Sequence, residues 1–187
     1  MARKQVLPAK RMLPLKVTIQ IIMQVLGALD YGHQQEIIHC DIKPDNIMIE
    51  EHTQRPIITD FGVAKVLHEA DDERSMARGT PLYMAPEQII GKPTDGRTDI
   101  YAVGTMLFQM LVPRLPLPKF KSKEALLKHK LLNKNGFFLK TPSDLNPFLN
   151  KEMDRIVQNA MGYELEKRYS NCGEFKKMLE MYRQKYL

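Results

Sequence analysis

His39-Cys40-Asp41-Ile42-Lys43-Pro44-Asp45-Asn46 runs directly into Ile47-Met48-Ile49, and after a short polar interval comes Thr59-Asp60-Phe61-Gly62. The apolar segments at 47–49 and 57–59 bracket Glu50, Glu51, His52, Thr53 and Pro56, the composition of a β-hairpin. In an antiparallel pair, the residue entering the first strand meets the residue leaving the second. Asn46 and Asp60 therefore converge, an amide oxygen beside a carboxylate. That donor set suits Mg2+, which takes few protein oxygens and completes its octahedron with water and phosphate. Asp41 and Lys43 stand two apart in an extended loop and so point the same way. A carboxylate able to accept a proton then lies beside a cation able to stabilise phosphoryl charge. Singly, these features are commonplace, since an Asp after a strand is most often a solvated turn residue. Their order and spacing together point to phosphoryl transfer, which needs metal ligands, a base and a nearby cation.

Working outward, apolar residues upstream recur at helical spacing (Ile21, Ile22, Val25, Leu26, Leu29). They predict a helix over residues 17–33 with a broad buried face and Gly32 at its end. Ile37-Ile38 reads as a short β-like piece. Beyond a polar loop at 69–78, the chain reads as helices joined by proline-rich turns. One covers 99–111 with Thr98 or Asp99 as N-cap, a second covers 123–132 after Ser122, a third 151–161 after Asn150, and the last 173–186. The predicted fold is mainly α with a small β-hairpin, of the α+β class. No repeat, low-complexity tract or domain boundary interrupts it.

With 187 residues, 43% hydrophobic and 27% charged, the chain suits one soluble globular domain. The longest apolar stretch, 100–112, is broken by Gln109 and is too short to cross a bilayer. Basic residues near the start (Arg3, Lys4, Lys10, Arg11, Lys16) precede no unbroken apolar run, because Thr18, Gln20 and Gln24 interrupt it. Export is not expected. Cys40 and Cys172 show neither disulfide-framework nor metal-ligand spacing, which points to a reducing, cytoplasmic compartment. The net charge of +6 is scattered and not interleaved with aromatics, so nucleic acid is not an expected partner.

The spacing from Asp41 to Asn46, the Asp60-Phe61-Gly62 that follows, and Ala85-Pro86-Glu87 within residues 79–87 stand in the order of three motifs of the eukaryotic-type protein kinases. The chain resembles that family from about Leu15 to its end, and its motifs are similar in style to the bacterial branch. The resemblance implies the large, C-terminal lobe of a protein kinase domain over 1–187. It also implies transfer of the γ-phosphoryl group of ATP, with Mg2+, to serine or threonine of a protein substrate. Lys43 and Gly79-Thr80-Pro81-Leu82-Tyr83 resemble serine/threonine-specific members in particular. By the same resemblance, Asp41 accepts or orients the substrate hydroxyl and Lys43 faces the γ-phosphate. Asn46 and Asp60 hold the metal, and Met48 forms an apolar floor under adenine. Thr80 links the activation segment to the catalytic loop, and Asp99 holds the backbone amides of that loop. Glu87 and Arg168 form a buried ion pair, while His39 and Phe61 are structural.

Two departures from the family pattern stand out. Cys40 occupies the place where most members carry an arginine that pairs with a phosphorylated activation loop. Phosphorylation there, with Ser75 as the candidate, is therefore expected to matter little. The chain also contains no G-x-G-x-x-G, and only 38 residues precede His39. The small lobe, with its glycine loop, strand lysine and helix glutamate, is expected to be absent, as in a fragment, a split gene or a chain with a misplaced start. An isolated lobe of this kind is expected to bind Mg-ATP weakly, to be weak or inactive, and to expose apolar surface that a small lobe or partner covers. The alternative reading is a non-catalytic scaffold or decoy that binds protein partners.

Overall fold

The computed structural model describes residues 4–7, 13–61, 65–66, 80–134 and 136–187. Gly62, Ser75 and Gly79 lie outside the described residues. Helix α1, Leu15–Gln34, buries Ile19, Ile21, Ile22, Val25, Leu26 and Leu29 along one broad face. Burying each such side chain contributes about 1.5–3 kcal/mol. Tertiary packing, rather than the modest helix propensity of its β-branched residues, therefore holds the helix. It stops two residues later than Gly32 suggests. The amides of Gln35 and Glu36 bond back to Gly32 and His33, and the left-handed residue is Glu36 (φ 62°).

Helix α2, Pro86–Ile89, is a single turn, and α3, Gly96–Leu111, runs through the middle of the domain. Every α3 residue from Thr98 to Leu111 except Gln109 is buried, as expected of a helix enclosed on all sides. Its N-cap is Asp95, which accepts from the Arg97 amide at 2.8 Å, rather than Thr98 or Asp99. Those two side chains are instead committed to distant partners. Helices α4 (Lys123–Leu132), α6 (Lys151–Ala160) and α7 (Cys172–Tyr186) are capped by Ser122, Asn150 and Asn171, each accepting backbone amides of the first turn. Between them lies α5, Pro142–Leu145, another single turn. Helix α1 packs on α3 and α7, and α6 packs on α3. A Cβ at Gly104 would lie 2.7 Å from the Ala160 Cβ, so the close approach of α3 to α6 depends on that glycine. None of the described helices is long and apolar enough to cross a membrane.

The strands include the hairpin and the Ile37-Ile38 piece read from the sequence and add Lys4–Val6 and Lys65–Val66. Strand β1, Lys4–Val6, and β4, Pro56–Ile58, flank β3, Ile47–Glu50, in an antiparallel sheet of order β1-β3-β4. Strands β2, Ile37–Ile38, and β5, Lys65–Val66, form a separate antiparallel pair. Strands this short carry too little alternation to be read as a period. The hairpin register is Ile47↔Ile58, Met48↔Ile57 and Ile49↔Pro56.

Candidate active site

The loop joining β2 to β3 is held from below by one carboxylate. Asp99, fully buried in the first turn of α3, accepts the His39 amide through Oδ2 and the Cys40 amide through Oδ1, both at 2.9 Å. Its Oδ2 also meets His33 Nε2 at 2.8 Å. Cys40 is buried in the left-handed region (φ 64°), a backbone cost of about 1–2 kcal/mol for a residue other than glycine. The fold over-determines that position, because the Cys40 carbonyl also accepts Gln88 Nε2 at 2.8 Å. The His39 ring spans the site. Its Nδ1 accepts the Asp41 amide at 3.3 Å, which leaves the proton on Nε2 to be donated to the Thr59 carbonyl at 3.0 Å.

Above that foundation, Asp41 gathers two partners on one oxygen. Lys43 Nζ donates to Asp41 Oδ2 at 2.7 Å and Asn46 Nδ2 donates to the same atom at 3.1 Å. Asn46 Nδ2 also donates to the Asp41 carbonyl at 2.8 Å, so the nitrogen side of this amide is committed to Asp41. Pro44 opens the turn of 3-10 helix, Pro44–Asn46, that brings Asn46 back over Asp41. Asn46 then leads into β3, and its carbonyl accepts the Thr59 amide at 2.9 Å, closing the hairpin at that end. Asp60 follows Thr59 immediately, exposed and left-handed (φ 63°), a conformation a short polar side chain tolerates. Phe61 tilts against the His39 ring, with 4.8 Å between centroids. Met48 is half-buried, on the strand face opposite the buried Ile47 and Ile49.

Thr80 and Asp41 line one small cavity of about 10 Å3, together with Gln88 and Asp99. Within the described residues, Thr80 hydrogen bonds through its carbonyl, which accepts the amides of Tyr83 and Met84 at 2.9 and 3.3 Å, and not to Asp41. Glu87, in α2, meets Arg168 in a buried bidentate pair, Oε1 to Nη1 at 2.8 Å and Oε2 to Nη2 at 2.7 Å. Thr98 donates to Glu87 Oε1 at 2.8 Å.

Several residues of this architecture were not singled out in the sequence. His33 and Gln88 brace Asp99 and Cys40, and neither carries a motif. Lys130 of α4 is 1% exposed. Its ammonium donates to the carbonyls of Pro81, Leu82 and Met84 at 3.2, 2.7 and 2.6 Å.

A helical lobe carrying this loop, hairpin and buried pair defines the class. The chain matches the model of the protein kinase domain family over residues 2–187 and belongs to that family. Among its relatives, the serine/threonine-protein kinase Pkn1 of Myxococcus xanthus is 32% identical over 168 residues, covering 87% of this chain and 24% of Pkn1. A probable serine/threonine-protein kinase, PknB of Bifidobacterium longum, is 36% identical over 160 residues, 84% of this chain and 22% of the relative. The chain thus spans less than a quarter of the length of these two proteins. In three dimensions it is similar to the PknI kinase domain of Mycobacterium tuberculosis, with a TM-score of 0.66 and 25% identity, over 91% of this chain and 57% of PknI's.

Proposed function

We propose that this chain supplies the phosphoryl-transfer groups of an ATP-dependent serine/threonine protein kinase acting in the cytoplasm. The observation that carries the reading is the single oxygen of Asp41 shared by the Lys43 ammonium and the Asn46 amide. In this reading the acceptor hydroxyl of a protein substrate enters beside Asp41, which orients it and takes its proton. Lys43, on the more open side of the pair, neutralises charge on the group being transferred. The donor set fits a hydrated Mg2+. With its nitrogen turned to Asp41, Asn46 can offer its amide oxygen, and Asp60 offers an exposed carboxylate at the same end of the hairpin. Met48, on the face turned from the core, is the apolar surface assigned to the adenine. Mg-ATP, when bound, would bring the phosphoryl group and the cation that neutralises its oxygens. Thr80 joins the set through the cavity it shares with Asp41.

Because these 187 residues contain no glycine-rich loop, the chain alone is expected to bind Mg-ATP more weakly than micromolar. A small lobe is the partner proposed to complete the clamp and to cover Val6 and Phe61, which are 47% and 53% exposed. Joining the small lobe of a close relative to the first residue should yield ATP-dependent phosphorylation of serine or threonine in a basic test protein. In that fusion, Asp41→Asn should lower kcat by about 100-fold or more with ATP affinity little changed. Asp60→Ala should abolish activity. A folded, ATP-binding fusion that stays inactive, or an Asp41→Asn variant as fast as its parent, would favour the non-catalytic scaffold.

A further inference from the structure

One cavity shares no lining residue with the small cavity at Asp41. It measures about 490 Å3 and lies between α3, the end of α4, the connection at 136–142 and the end of α6. Small-molecule sites typically measure about 300–1,000 Å3 and combine apolar walls with a few placed polar groups. One wall is aromatic, with the Phe108 and Phe138 rings 4.0 Å apart and Phe137 beside them at 4.7 Å.

The inner end is closed by Lys130, and it is a finished surface. Its ammonium is held by the three carbonyls already described and lies 4.5 Å from the Phe137 ring centroid and 5.0 Å from that of Tyr101. That cation has its partners within the protein. The lysines near the opening do not share this arrangement. Lys134, Lys140 and Lys167 line the cavity and are all exposed, and Lys134 Nζ lies 5.0 Å over the Tyr163 ring. The opposing lining carboxylate, Asp144, accepts the Thr141 amide and hydroxyl at 2.9 and 2.7 Å and Lys151 Nζ at 3.3 Å. These contacts hold its pKa at about 2 and leave its charge largely answered. The rim charge left over is positive, and the body behind it is flat and apolar.

We propose that this cavity is a binding site for a small amphipathic carboxylate, its apolar body against Phe108 and Phe138 and its anionic group toward Lys134 and Lys167. Charge and ring surface separate along the cavity as they do along such a molecule. The proposal does not depend on catalysis at Asp41.

The test is calorimetric titration of the full chain at low salt with 2-naphthoate and with 2-naphthylmethanol, which share a ring system and differ in charge. The naphthoate should bind at one saturable site with Kd below about 1 mM, as ligand-efficiency limits allow. The alcohol should bind about tenfold more weakly or worse. Reversing both exposed charges, Lys134→Glu with Lys167→Glu, should weaken the naphthoate about tenfold and leave the alcohol unchanged, the scale expected for two solvent-exposed ion pairs. Gln158→Trp, which fills the cavity from an exposed position, should weaken both probes while the melting temperature stays close to the parent's. The idea is overturned by the absence of saturable naphthoate binding, by equal binding of the two probes, or by naphthoate binding indifferent to the charge reversal.

Discussion

Arg168 uses every donor a guanidinium has. Nε bonds the Gly162 carbonyl, Nη1 bonds Glu87 and the Arg97 carbonyl, and Nη2 bonds Glu87 and the Tyr163 carbonyl. Its planar group also lies 4.9 Å over the Tyr101 ring. Removing one partner of such a pair strands a buried charge, at a cost of about 3–5 kcal/mol. Urea unfolding of Arg168→Met should show a loss of that order. The double change Glu87→Leu/Arg168→Met should cost less than the sum of the two single changes, since no unpaired charge remains. At this scale the sequence was legible only where residues are close along the chain. Asp41 and Lys43 lie two apart in one loop, so their pairing follows from spacing, whereas the Asn46 bonds to Asp41 were not read from it. Glu87 and Arg168 are separated by 81 positions, and nothing but opposite charge links them without the family resemblance. His33 and Lys130 were missed for the same reason, because each acquires its role from a partner far along the chain.

Helices announced themselves wherever a cap and a period coincided. Ser122 and Asn150 stand where the side-chain oxygen must sit to accept the first free amides, and Asn171, which was not singled out, does the same for α7. At α3 the sequence offered too many candidates. Thr98 and Asp99 each looked able to cap the helix, but tertiary demand sent them to Glu87 and to the loop at His39, and the cap is Asp95, which was not singled out. The single turns α2 and α5 and the strands β1 and β5 are too short for periodicity to register. Gly104 shows what the helical pattern conceals. It sits inside a well-formed helix, where alanine is ordinarily the better residue. Here an added methyl would press on Ala160 at 2.7 Å and on Met161 at 3.0 Å. Gly104→Ala should therefore lower stability by about 1–3 kcal/mol in thermal or urea unfolding, against the gain that helix propensity alone predicts.

Across the whole molecule, Lys130 fastens α4 to the segment ahead of α2, and burial together with nearby Arg168 holds its pKa well below the ordinary lysine range. The unfolded chain then binds more protons at this group than the folded one between the lowered and the ordinary pKa. In that window its contribution to stability rises with pH. Cys172 and Tyr101 act oppositely, since burial raises both and favours their neutral forms. Comparing parent with Lys130→Met cancels those shared effects. Urea unfolding at pH 7 and pH 9.5 should show the parent's advantage over the variant growing toward alkaline pH. A constant difference would mean that the three carbonyls keep the ammonium at its ordinary pKa.

Asp99 holds the loop at His39 and Cys40 from about 60 positions downstream, and this governs the order in which the protein can be made. During synthesis, Asp41, Lys43 and Asn46 leave the ribosome well before the carboxylate that fixes the loop beneath them. Closing a segment of that length costs roughly 3–4 kcal/mol of chain entropy, the same order as the Asp99 hydrogen bonds contribute. Net ordering therefore comes from seating α3 among α1, α6 and α7, and α7 lies further along the chain still. The loop that carries Asp41 is thus synthesised before the elements that order it. A half-folded copy holds Asp41, Lys43 and Asn46 without their shared geometry, which arrives together with the packed core.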